Sequence, residues 1–167
     1  MNYNIIHSSA QLGTVFKSVT GKLVEEPSSA RNEFFNTVNQ EKIRELLNNF
    51  CHIKIKNEIV ITYKHFKSIN IFIDKSDILN YLILNIENVL NKYETFVIHV
   101  NIEKLSLLEI EKNKDFIQNM SSALKEKFPD KLDFCIIYEG SFIFKQIYNL
   151  LAMFIDKKTL KKIQFQE

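Results

Sequence analysis

The stretch Phe96-Val97-Ile98-His99-Val100-Asn101-Ile102 opens the half of the chain whose reading decides the fold. β-Branched and aromatic residues dominate it. Ile98, Val100 and Ile102 fall on one face of a strand, and Val97, His99 and Asn101 on the other. Downstream, the spacing predicts a helix over Leu107 to Phe128 and a strand over Leu132 to Tyr138. A helix over Phe142 to Ile155 and a short last strand over Lys162 to Phe165 complete the run. Strands separated by helices of this length require βαβ units with crossovers of one hand, hence a largely parallel sheet.

Working upstream, Asp77 to Tyr93 reads as an apolar-rich helix through Ile78, Leu82, Ile86, Val89 and Leu90, with capping groups at Asp74 to Ser76. Ile69 to Ile73 reads as a strand. Residues 52–56 and 58–63, on either side of Asn57, read as a hairpin with one buried face. Before them, Ser29 to Phe50 has helical spacing, with a break expected near Asn39, which can cap a second piece. Residues 1–30, punctuated by serine, glycine and proline, read as an irregular N-terminal arm, or as a hairpin turning at Thr20-Gly21. The expected fold is α/β: a single domain over residues 31–167, with a mixed, mostly parallel β-sheet and helices on its faces.

Composition narrows the function. The chain has 167 residues, 46% of them hydrophobic and 25% charged, so one domain with one core is expected. A net charge of +2 gives no general case for a nucleic-acid partner. No apolar run approaches the roughly 18–20 residues that span a bilayer, and the first ten residues do not resemble a signal peptide. Cys51 and Cys135 stand far apart in apolar stretches and read as buried, reduced thiols. A cytoplasmic protein, peripheral at membranes, is expected, or a virion component if the source is viral.

Signals for catalysis are missing. With glycine only at positions 13, 21 and 140, no phosphate-cradling loop can be built, and the four histidines show no metal-ligand spacing. His99 reads more simply as a hydrogen-bonded sheet residue than as a group lining a cavity. Glu103, Glu109, Glu111 and Asp115 precede or open a helix, where acids complement its dipole on a solvated surface. The run Lys157, Lys158, Lys161 and Lys162 suits either a solvated helix end or an anionic headgroup or membrane surface. Neither an enzyme nor a metal site is expected.

Read as one line, the second half resembles the CRAL-TRIO family of lipid-binding domains, most firmly over residues 95–165. The resemblance is carried by the strand Phe96 to Asn101 and by Phe128-Pro129-Asp130-Lys131-Leu132 before the next strand. It continues through Ser141-Phe142-Ile143-Phe144 and closes on Thr159-Leu160-Lys161-Lys162-Ile163, the family's T-x-x-K-I. It implies a sheet forming the floor of an apolar cavity, with Ile98, Val100, Ile102 and Ile136 in that floor. It implies a gating helix contributing Phe142, Ile143, Phe144, Ile147, Leu150, Leu151 and Phe154. In phosphatidylinositol-binding members the headgroup residues match Asp130, Thr159 and Lys162 here, with Asp130 one methylene shorter than the usual glutamate.

The chain also departs from the pattern. Tyr138-Glu139-Gly140 stands where Asn-Ala-Pro is usual, Gly140 supplying flexibility where proline removes it. Asn101 replaces a common aspartate, and no counterpart is read for the N-terminal L-R-F-L helices or the closing L-P-x-x-x-G-G segment, so the chain reads as a trimmed member. The function implied is lipid binding and lipid transfer without catalysis, with no cofactor beyond a bound lipid. The partners implied are a phospholipid or other hydrophobic small molecule, a transient membrane surface and a protein. The alternative is an interaction or structural module whose pocket has collapsed around its own aromatics, 14 phenylalanines being enough to fill it.

Overall fold

The computed structural model describes residues 29–166, with side chains from Gln40 onward apart from Ser141. The expected arm and the hairpin at Thr20-Gly21 lie outside the described residues. The chain divides into two compact units, Met1–Leu46 and Leu47–Glu167. Helix α1, Ser29–Phe50, begins in the first and runs without interruption, so Asn39 does not break it.

The second unit is built on a five-stranded sheet in the order β1-β2-β3-β4-β5, which is also the order along the chain. Its strands are β1 (Cys51–Ile55), β2 (Glu58–Thr62), β3 (Phe96–Asn101), β4 (Leu132–Tyr138) and β5 (Ile163–Gln166). β1 is antiparallel to β2, and every later neighbour is parallel. The β1–β2 hairpin turns at Lys56, whose φ of 49° is left-handed, and Asn57 beside it donates its side-chain amide to Thr95 O at 3.1 Å. That bond ties the hairpin to the start of β3.

The helices between parallel strands are α2 (Tyr63–Ile69) and α3 (Lys75–Leu90), then α4 (Leu107–Lys112) and α5 (Lys114–Lys127), then α6 (Phe144–Leu151) and α7 (Lys157–Leu160). Of these, α3 carries the longest buried run among the described residues: Tyr81 to Ile86 are six consecutive buried residues. Such a helix must be covered on several sides. It packs on β1, β3 and α5, and Asn85 satisfies its amide on Tyr81 O at 2.9 Å.

Three elements differ from the sequence expectation, each for a local reason. Ile69 to Ile73 is not a strand. Alternation would place Ile71 beside Ile69 and Ile73, yet the chain winds on so that Ile73 N reaches Ile69 O at 2.9 Å. Ile69 and Ile73 are therefore buried while Ile71 and Phe72 stand 76% and 72% exposed. The single helix expected over Leu107 to Phe128 is two, broken at Asn113. The side-chain amide of Asn113 takes Glu109 O at 2.8 Å, competing with the helical ladder as asparagine does. The helix expected over Phe142 to Ile155 is shorter, a 3₁₀ turn at Ser141–Ile143 followed by α6 and a turn to α7.

Gly140 has a reason other than flexibility. Its φ is −163°, ordinary extended backbone, but a Cβ there would sit 2.4 Å from Ile102 Cδ1. A side chain at this position would force the buried Ile102 side chain to shift.

Candidate binding cavity

An apolar cavity of about 540 Å³ lies between the sheet and helices α5 and α6. That volume is ordinary for a small-molecule site. Its floor is one face of the sheet: Ile61 from β2, Ile98 and Val100 from β3, Cys135 and Ile137 from β4, and Ile163 from β5. These residues are ladder partners across the strands, Ile61 with Val100, Val100 with Ile137, and Cys135 with Ile163. Ile102, just beyond β3, also lines it.

Ile136, expected in the floor, is on the opposite face. Its ladder partner is His99, itself paired with Val60, and one residue of register exchanges the faces of a strand. His99 therefore does not line the cavity either. Its Nε2 is buried 3.3 Å from Glu58 Oε2 without the alignment of a hydrogen bond.

One wall comes from α5 and the residues after it, with Phe116, Ile117, Met120, Leu124 and Phe128 at helical spacing. Phe116 stacks on Phe66 of α2 with centroids 5.0 Å apart. The facing wall comes from α6 and the turn after it. Of the seven residues expected in a gating helix, Ile147, Leu150, Leu151 and Phe154 line the cavity. The other three do not. Phe142 is 79% exposed, Ile143 is buried behind the cavity in a cluster with Ile102 and Ile110, and Phe144 packs on Phe165 of β5 at 4.9 Å. Phe142 and Ile143 lie in the 3₁₀ turn, out of register with α6, while Phe144 opens α6 on the face that also carries Tyr148 toward Phe165.

Only five lining residues are exposed, and they mark one mouth: Lys125, Pro129, Asp130, Asp156 and Lys158. Thr159 and Lys162, half-buried, complete the polar end, so the three expected headgroup residues stand together there. Each is already engaged. Asp130, at a left-handed φ of 60°, accepts from Lys158 Nζ at 2.5 Å. That ammonium, through its hydrogen bond and charge, holds the Asp130 carboxyl below the usual carboxylate range. Asp156 caps α7 by accepting from Thr159 N at 2.9 Å and from its hydroxyl at 3.1 Å, which lowers the Asp156 carboxyl in turn. Lys162 Nζ donates to Leu132 O. A second ion pair, Lys125 to Asp156 at 3.7 Å, also spans the mouth.

Lys125 and Asp156 are mouth residues that the sequence reading did not single out, and Lys158 belongs to the basic run it weighed as a headgroup or membrane contact. Cys135 is a floor residue it treated only as buried. Its thiol faces the cavity interior and burial pushes it up to about 12, which keeps it a protonated apolar surface. Both cysteines are free thiols. Away from the cavity, Ser106 and Glu109 form a capping box opening α4, and Lys67 pairs with Glu109 and lowers its carboxyl. These acids stabilise a helix start. Among the described residues no cluster of histidine, cysteine and acidic groups suits a metal, and no helix is long and apolar enough to cross a membrane.

A parallel sheet flooring an apolar chamber, with polar groups gathered at one mouth, suits a hydrophobic ligand with a polar head. The family model of the CRAL/TRIO domain matches residues 56–167. The chain belongs to the CRAL/TRIO family. Its fold is thus a lipid-binding fold, and the family binds lipids or other small hydrophobic ligands. The crystal structure of Sfh5 aligns with a TM-score of 0.58 at 14% sequence identity, covering 92% of this chain and 67% of that one. At that identity the likeness shows the fold alone. No curated protein sequence matches the chain.

Proposed function

We propose that this CRAL/TRIO protein is a non-enzymatic carrier of one lipid, a phospholipid or similar amphiphile. The acyl portion lies between the sheet and α6, and the headgroup sits at Asp130, Thr159 and Lys162. The observation that carries the reading is the single charged mouth on an otherwise apolar cavity. Burying acyl chain at about 0.8 kcal/mol per CH₂ supplies the driving force, and the mouth supplies orientation. The ammonium of Lys162 and the hydroxyl of Thr159 suit a phosphate, and the Asp130 carboxylate suits sugar hydroxyls. Each must exchange its present partner for the headgroup. Lys158, released from Asp130, adds a second ammonium.

What favours a carrier over an interaction module with a collapsed pocket is that the cavity stays open despite the aromatics around it. The headgroup assignment is tested with Lys162→Ala. Loss of a charge-assisted hydrogen bond of at least about 1.5 kcal/mol should lower phosphatidylinositol uptake from vesicles by about tenfold. Diacylglycerol, which has no phosphate, should be much less affected. Equal losses for the two lipids would remove Lys162 from the headgroup site.

A further inference from the structure

The mouth is framed by two segments, residues 125–131 from the last turn of α5 to the start of β4 and residues 153–162 between α6 and β5. Together they carry seven lysines against three acids. Part of this charge is used internally: Lys158 pairs with Asp130, Lys125 with Asp156, and Lys127 with Glu87 at 3.9 Å, while half-buried Lys162 donates to Leu132 O. Lys131, Lys157 and Lys161 remain. All three are exposed, and among the described residues none has an ion-pair partner. In the same segment Met153 is 62% exposed, in the turn whose next residues Phe154 and Ile155 line the cavity.

We propose that this rim docks on an anionic lipid bilayer, Lys131, Lys157 and Lys161 meeting lipid phosphates and Met153 entering the headgroup layer. An exposed apolar side chain in a segment rich in solvated ammonium groups is the chemistry of an interfacial anchor. Its position sets the cavity mouth against the surface from which an apolar ligand would come. The opposite end of the sheet offers an alternative, since Ile71, Phe72 and Phe142 are exposed there. Around them, segments 63–77, 103–115 and 139–145 hold seven lysines against seven acids, so that end has no preference for an anionic surface. The choice of a lipid surface rests on the carrier reading; the docking itself is measured separately from it.

The test uses the full chain and sedimenting vesicles of phosphatidylcholine, alone or with about 30% phosphatidylserine, a fraction large enough to set up the surface potential that lysines sense. Binding should require phosphatidylserine and weaken as salt is raised from about 0.05 to about 0.5 M. Lys131→Glu/Lys157→Glu/Lys161→Glu should lower the partition by at least about tenfold. The milder Lys157→Gln/Lys161→Gln gives a smaller loss of the same sign, which keeps the test readable if charge reversal harms folding. Met153→Ser should weaken binding without changing its phosphatidylserine dependence.

Equal binding to both vesicle types, an undiminished triple variant, or loss with Phe72→Ser instead would overturn the proposal. Tighter binding to a single-stranded RNA than to the vesicles would do the same. Lipid extracted from the same preparations reads the carrier function independently: lipid-loaded protein that ignores vesicles refutes docking alone, and lipid-free protein refutes the carrier.

Discussion

Val100→Trp is expected to abolish lipid uptake and leave the protein folded. Val100 stands near the centre of the cavity floor, flanked in register by Ile61 and Ile137. Enlarging a residue in a filled core costs typically about 1–3 kcal/mol because neighbours must move. Here the indole enters open space of about 540 Å³, and tryptophan is well suited to a strand. Stability should therefore change by less than about 1 kcal/mol, below the usual overpacking cost. Uptake of fluorescent phospholipid should fall by more than about tenfold, at least ~1.4 kcal/mol of binding free energy. Ile136→Val, one position along the neighbouring strand from the floor residues Cys135 and Ile137, changes the opposite face and should leave uptake intact. Thermal melts and vesicle-uptake assays on the two variants check both statements. A tryptophan variant that takes up lipid normally would mean that the ligand does not lie on this floor.

The second large effect is on stability. Tyr81→Ala is expected to lower the unfolding free energy by about 3–5 kcal/mol, the range for removing a large buried aromatic. Tyr81 is 2% exposed in the middle of α3, and its hydroxyl donates to Asn48 Oδ1 at 2.5 Å. The substitution leaves a void within the six-residue buried run of α3, where closely packed neighbours relax only in part to fill it. Against a total of about 5–15 kcal/mol for a typical domain, this loss brings the protein close to unfolding at ambient temperature. Phe72→Ser removes an aromatic of similar size that is 72% exposed, and its cost should stay within about 0.5 kcal/mol. Urea titration of the two variants measures the difference. Similar midpoints would show that α3 does not anchor the core.

Much of this architecture is written in residue spacing. The alternation of Phe96 to Ile102 put Ile98, Val100 and Ile102 on one strand face because period two is fixed by strand geometry. The resemblance implied that this face is a floor, and β4 was read with its observed bounds. The helical spacing of α5 was also legible, although its wall residues Phe116, Ile117, Met120, Leu124 and Phe128 were not named for the cavity. The face of β4 was not. Its two sides are Cys135 with Ile137 and Phe134 with Ile136, all apolar, and only pairing with β3 decides between them. That pairing contains an irregularity between Phe96 and Ile98, which shifts the phase.

Ile69 to Ile73 misled for a related reason. Three isoleucines at alternate positions fit a strand, but Ile69 and Ile73, four apart, fit a helical turn as well. In the gating segment, apolar residues on more than one stripe concealed where the 3₁₀ turn ends and α6 begins. At the mouth, Asp130, Thr159 and Lys162 were found through a family pattern. Lys125 and Asp156 are charged residues on exposed segments, and nothing in their spacing separates them from a solvated surface; Lys158 stood in a basic run that suits a solvated helix end as well as an anionic headgroup. Only the ion pairs Lys158–Asp130 and Lys125–Asp156 give them a place.

The central claim is that the chamber between sheet and α6 holds a lipid. It is tested most directly by purifying the protein under native conditions, extracting it with organic solvent and quantifying the extract by mass spectrometry. The account predicts close to one lipid per protein molecule, displaced from the Val100→Trp variant. A lipid-free protein that also fails to take up labelled phospholipid from vesicles would contradict it.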